Sequence, residues 1–90
     1  MKLKKVNDIL YQYSDEKRGL HFYLNYGSRG VLSRGNAWFF NLIDNGCRIH
    51  IATFTTISDG NRCEKEDYER RIWTLDEILP VAEKLINRFQ

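Results

Sequence analysis

The sequence predicts an α+β fold: an antiparallel three- to four-stranded sheet with N- and C-terminal helices, in the order α-β-β-β(-β)-α. Three observations predict it. Apolar residues recur at helical spacing at both ends of the chain, apolar and polar residues alternate in the middle, and an Asn-Gly pair separates two β-rich runs. A chain of 90 residues suits one domain, which we expect to cover residues 1–90 with a thin two-layer core.

The first helix is predicted over residues 3–13, because apolar side chains recur there at three- and four-residue intervals. These side chains are Leu3, Val6, Ile9, Leu10 and Tyr13. Basic residues and Gly19 follow, a combination that is common where helices end. We therefore expect the sheet to begin after Gly19.

Three strands are predicted next. Residues 20–26 alternate between apolar and polar side chains, which indicates a strand with one buried face. Asn45-Gly46 predicts a two-residue type I′ turn between strands, since both positions of such a turn need positive φ. With that turn, one face pairs Leu42 with Ile49, Phe40 with Ile51 and Trp38 with Thr53, and the other pairs Ile43 with Arg48, Asn41 with His50 and Phe39 with Ala52.

The C-terminal region predicts a short strand and a helix. Residues 68–73 are interpreted as a fourth strand. Thr74 and Glu77 have the spacing of a capping box at the start of a helix, and the apolar residues that follow fall on one helical stripe. Pro80 would occupy the sixth helical position, so the helix either kinks there or properly begins near it.

Composition limits the classes of function. The formal net charge of +2 is too small to indicate a nucleic-acid-binding protein by itself. Neither a signal peptide nor a membrane-spanning stretch is apparent, and Cys47 and Cys63 are too few for a disulfide framework. We expect two reduced thiols, a cytoplasmic location and no membrane association. Because Cys47 and His50 would point to opposite faces of a strand, no metal site is predicted, and no cofactor either.

The second face of the sheet is the predicted contact surface. It combines aromatic rings, amides and cations, in Tyr23, Asn25, Phe39, Asn41, Arg48 and His50. The segment from Gly27 to Gly35 contains Ser-Arg-Gly twice and would place Arg29 and Arg34 in a loop at the end of a strand. Arginine forks grip phosphate or carboxylate, and glycine lets a partner approach the backbone closely. The alternative for this loop is a solvated turn without a partner.

Three functions fit such a face. The first is a small non-enzymatic protein of the inhibitor, immunity or anti-defence type, from a bacterium or phage. Such a protein would bind a partner protein that itself handles nucleic acid, because aromatic and arginine side chains are frequent interface anchors. The second is a nucleic-acid-binding module. The third is a metal-free ribonuclease using His21, His50, Tyr23 and Arg48. We favour the first, with no catalytic residues, and an exposed edge strand would allow a homodimer.

Overall fold

The computed structural model describes residues 2–29, 35–56 and 65–90. The strands are β1 (Lys4–Asn7), β2 (Leu10–Asp15), β3 (Leu20–Ser28), β4 (Asn36–Asp44), β5 (Cys47–Thr56) and β6 (Ile72–Trp73), and the helix is α1 (Leu75–Asn87). They form one sheet in the order β1-β2-β3-β4-β5-β6, antiparallel up to β5 and parallel between β5 and β6. The six-stranded mixed sheet curls into a half-barrel. The predicted antiparallel sheet of three to four strands is therefore wrong.

The predicted N-terminal helix is also wrong, because residues 3–13 form β1, a turn and the start of β2. The Asn7 side chain accepts a hydrogen bond from the backbone N–H of Ile9 at 2.9 Å, which closes the turn. Val6 and Ile9 belong to the expected apolar stripe, yet they are 57% and 54% exposed. Tyr11 and Tyr13 alternate with polar residues and pack against the core. Tertiary pairing with β3 thus overrides the helical spacing.

Gly19 lies in the turn between β2 and β3, where it has a φ of +69°. This turn packs against the next hairpin. The backbone N–H of Asn45 donates to the carbonyl of Gly19 at 3.0 Å, and a Cβ on Gly19 would lie 2.4 Å from the Asn45 side-chain oxygen. The glycine that was predicted to end a helix therefore allows a close contact between two turns.

The Asn45-Gly46 turn is confirmed, with φ of 48° and 90°. The predicted pairs Leu42–Ile49, Ile43–Arg48 and Asn41–His50 are present. Beyond them a β-bulge shifts the register, so that Phe40 pairs with Ala52, Phe39 with Thr53 and Trp38 with Phe54. The three predicted pairs past the bulge, which are Phe40–Ile51, Phe39–Ala52 and Trp38–Thr53, are wrong for this reason. The extra residue turns Phe54 inward, where it is fully buried.

The C-terminal region begins with a single 3-10 turn at Tyr68–Arg70 and the short strand β6, so only Ile72 and Trp73 of the predicted fourth strand pair with the sheet. The capping box is confirmed: the Thr74 hydroxyl accepts from the backbone N–H of Glu77 at 3.3 Å, and the Glu77 carboxylate accepts from the backbone N–H of Thr74 at 2.9 Å. The helix begins at Leu75 and includes Pro80, which is exposed.

The two faces of the sheet differ. Helix α1 packs its buried residues Ile78, Ala82, Leu85 and Ile86 with Phe22, Phe40 and Phe54 of the strands, and this side is called the inner face. The opposite side, the outer face, carries no helix among the described residues. No helix in the part of the chain that the structure describes is long and apolar enough to cross a membrane.

Candidate functional site

The outer face consists of three rows of four residues across β2 to β5, because directly paired residues project on the same side of a sheet. The rows are Ser14, His21, Ile43 and Arg48; Gln12, Tyr23, Asn41 and His50; and Leu10, Asn25, Phe39 and Thr53. Six of the predicted contact residues, Tyr23, Asn25, Phe39, Asn41, Arg48 and His50, therefore lie together in these rows.

His50 is at the centre of a hydrogen-bond network on the outer face. Its Nδ1 lies 2.9 Å from Oδ1 of Asn41, and its Nε2 lies 2.9 Å from Oγ1 of Thr53. Burial, and secondly the positive charge of Arg48, lower the pKa of His50 below its usual 6.5. The imidazole is thus neutral at pH 7, donates from Nδ1 to Asn41 and accepts at Nε2 from the Thr53 hydroxyl.

The β-bulge is the reason Thr53 reaches His50. In a regular strand, residues three apart point to opposite faces. Because Ile51 is an extra residue in β5, His50 and Thr53 both project from the outer face. Their side chains therefore lie within hydrogen-bond distance on either side of the bulge. The sequence carries a signal for this, because the apolar alternation of β5 changes phase between Ile51 and Phe54.

Arg29 is held inside the molecule instead of extending from a loop. Its Nη2 donates to both carboxylate oxygens of Asp67, at 2.9 and 2.8 Å, and to the Thr55 hydroxyl. The Thr55 hydroxyl in turn donates to Asp67 at 2.6 Å. The side chains of Arg29 and Asp67 are 5% and 0% exposed, so this is a buried ion pair that ties the end of β3 to the segment before β6. Arg34, the second predicted arginine, lies outside the described residues.

A pocket of about 390 Å³ opens where the network and the ion pair meet. Its lining residues are Arg29, Phe39, Asn41, Arg48, His50, Thr53 and Glu66. Arg48 and Glu66 are exposed and of opposite charge, while Asn41 and Thr53 are each 5% exposed. The pocket is therefore a polar depression with an aromatic wall and almost no net charge.

Further polar contacts continue the outer face across β2 and β3. Ser14 Oγ lies 2.8 Å from Nδ1 of His21, and the Gln12 amide donates to the same hydroxyl. Three members of the site were not predicted from the sequence, namely Thr53, Thr55 and Asp67. Thr53 depends on the bulge, and Asp67 meets Arg29 across 38 residues, a separation for which the sequence offers no signal.

Both ring nitrogens of His50 have protein partners, Asn41 at Nδ1 and Thr53 at Nε2. Among the described residues, no three His, Cys, Asp or Glu side chains are grouped as metal ligands would be. Cys47 is an exposed free thiol beside the hairpin turn, and Cys63 lies outside the described ranges.

Comparisons with protein-family models, with curated proteins and with solved structures give no match, so the site is interpreted from its own geometry.

Proposed function

We propose that the protein is a non-enzymatic binding protein that holds a partner protein against its outer face. The observation that carries this proposal is the contrast between the two sides of the sheet. Helix α1 covers the inner face, whereas the three outer rows have no helix over them within the described ranges. A sheet face with Tyr23, Phe39 and Arg48 presents the residue types that most often anchor protein interfaces.

Charge favours a protein partner over free nucleic acid. Across the three rows Arg48 is the one permanently charged side chain, since His50 is neutral at pH 7. Arg29 is already neutralised by Asp67, and Glu66 lies on the rim of the pocket. A nucleic-acid surface of this size normally carries several free cations for phosphates.

The partner in this proposal is a protein that itself handles nucleic acid, and the role is that of an inhibitor, immunity or anti-defence protein. The exposed Glu66 on the rim of the pocket suits the basic surface of such a partner. A cytoplasmic location belongs to the same proposal, supported by the exposed thiol of Cys47.

A homodimer through an edge strand, which the sequence would allow, is not part of this proposal. The exposed edge is β1, which presents Lys4 and Lys5 and is irregular between Lys5 and Asn7. Lysines and bulges of this kind discourage edge pairing. We expect sedimentation velocity to show a monomer, and a stable dimer would instead make β1 part of the interface.

The experiment is a pull-down from lysate of the source cell with tagged wild-type and variant proteins, each with and without nuclease. Arg48→Glu should abolish capture of a protein that survives nuclease treatment. Lys84→Glu is the matched control, because it reverses the same charge at an exposed position on α1, across the sheet. An interface anchor of this type is worth about 2 kcal/mol or more, or about 30-fold in affinity.

Two outcomes would contradict the proposal. Equal capture by wild type and Arg48→Glu would remove the outer face as the contact surface. Capture that disappears with nuclease, together with a steep loss of affinity as salt rises, would assign the face to nucleic acid.

A further inference from the structure

A second pocket lies on the inner side of the sheet, away from the outer face. It has a volume of about 510 Å³ and lies where the turn after β1, the ends of β3 to β5 and the start of α1 meet. Its lining residues are Asp8, Ile9, Tyr26, Trp38, Thr56, Trp73, Thr74 and Leu75. The volume falls within the range of about 300–1,000 Å³ that small-molecule sites occupy.

The aromatic walls of this pocket, called the tryptophan pocket, are fixed by their neighbours. The Trp38 ring packs against Tyr11 and Tyr26, with centroids 5.9 and 5.2 Å away. Trp73 packs edge-on against Phe54 at 5.2 Å, and the Arg71 guanidinium lies 3.9 Å from its ring centre. Because these rings are already held, a ligand would lose little free energy in ordering them.

The two indole N–H groups of the tryptophan pocket differ. Trp73 donates its N–H to the carbonyl of Tyr68 at 3.1 Å. Trp38 is 6% exposed, yet its N–H has no acceptor among the described residues. Among the described residues, Arg29 Nε is the one fully enclosed side-chain nitrogen or oxygen that lacks a hydrogen-bond partner. The Trp38 indole nitrogen also lacks a partner, so it is not fully enclosed. The Trp38 N–H is therefore an unused donor with access to solvent, on a residue that lines the pocket.

The carboxylates near the tryptophan pocket are each paired with a cation, Asp8 with Lys5 and Glu77 with Arg71. Asp8 is on the rim, with its side chain 96% exposed and 3.2 Å from Lys5. Glu77 occupies the start of α1, where the backbone N–H of Thr74 and then Arg71 lower its pKa, so its carboxylate stays ionised. That carboxylate and the Thr74 hydroxyl already cap the helix. A charged ligand would thus find these nearby carboxylates and cations already engaged with one another.

We propose that the tryptophan pocket binds a flat aromatic small molecule that has no negative charge and carries one hydrogen-bond acceptor, which receives the N–H of Trp38. The aromatic walls stack on the ligand, and the unused donor selects the acceptor. This site is independent of the outer face and of the partner protein proposed for it.

The test compares two probes of the same shape, quinoline and naphthalene, of which quinoline alone has an acceptor nitrogen. Trp38 and Trp73 are the chain's two tryptophans, so a ¹⁵N-labelled sample gives two indole N–H signals that both report on the pocket. Quinoline should shift the Trp38 signal downfield and bind about 2- to 10-fold more tightly than naphthalene.

Matched variants locate the effect. Trp38→Phe should bring quinoline to the affinity of naphthalene, whereas Trp73→Phe should keep the preference, because that N–H is already bonded. Ile9→Ala should weaken both probes, and Ile49→Ala, also an exposed isoleucine but outside the pocket, should weaken neither.

Three results would overturn the proposal. One is an unchanged Trp38 N–H signal at the highest soluble concentration of quinoline. Another is equal affinity of the wild type for the two probes. The last is a preference for quinoline that persists in a folded Trp38→Phe variant.

Discussion

Removing the carboxylate of Asp67 should severely destabilise the protein. In Asp67→Ala, Arg29 loses both of its hydrogen bonds to the carboxylate, at 2.9 and 2.8 Å, and Thr55 loses its acceptor at 2.6 Å. The guanidinium keeps its charge, and its side chain is 5% exposed in the folded protein. Little water can reach it there to replace what the carboxylate provided.

The expected cost follows from that burial. Breaking a buried ion pair from one side costs about 3–5 kcal/mol, because the other charge stays behind without a partner. At roughly 0.05–0.15 kcal/mol per residue, the whole domain has a free energy of unfolding of about 5–13 kcal/mol. The substitution should therefore remove roughly a quarter or more of the stability. A double variant, Arg29→Met with Asp67→Leu, should be much less destabilised than the sum of the two single changes.

The assay is equilibrium unfolding in urea followed by tryptophan fluorescence. Asp8→Ala is the control, since Asp8 also forms an ion pair, with Lys5, but its side chain is 96% exposed and should contribute nothing measurable. A loss of less than about 1 kcal/mol in Asp67→Ala, or strict additivity in the double variant, would refute the assignment of a buried, coupled pair.

Two further predictions concern Gly19 and His50. Gly19→Ala should lower the free energy of unfolding by at least about 1–2 kcal/mol, because the φ of Gly19 is +69° and the added Cβ would collide with Asn45. Gly27→Ala is the control and should cost nothing, because the space around Gly27 is open. Equal effects of the two substitutions in urea unfolding would contradict this. The pKa of His50 is lowered in the folded protein, so the unfolded chain binds a proton at His50 more readily. The stability that the neutral His50 contributes is therefore fully present above pH 6.5 and is lost as the pH falls below that value. The difference in unfolding free energy between wild type and His50→Gln should therefore shrink between pH 8 and pH 5, and a constant difference would show that His50 titrates alike in both states.

The parts of the fold that the sequence predicted correctly depend on local chemistry. The Asn45-Gly46 turn is confirmed because few other residues adopt two successive positive φ angles. The capping box of Thr74 and Glu77 is confirmed because its donors and acceptors lie within one helical turn. The register next to the turn follows from the turn itself, and so does the placement of Asn41 and His50 opposite each other.

The errors arise where distant contacts compete with local preference. Residues 3–13 have helical spacing, but Tyr11 and Tyr13 pair with Leu24 and Phe22 of β3, which favours strands. The bulge at Ile51 exists because Phe54 is buried against distant aromatic residues. It changes the candidate site, since it brings Thr53 to His50.

The sequence alone determined the Asn45-Gly46 turn, the helix cap and the alternation that separates an apolar face from a polar one, because each depends on neighbouring residues. Tertiary structure decided which face α1 covers, the burial of Arg29 with Asp67 and the tryptophan pocket. The physical reason is that burial and pairing across tens of residues depend on the packing of the whole chain, which no local pattern contains.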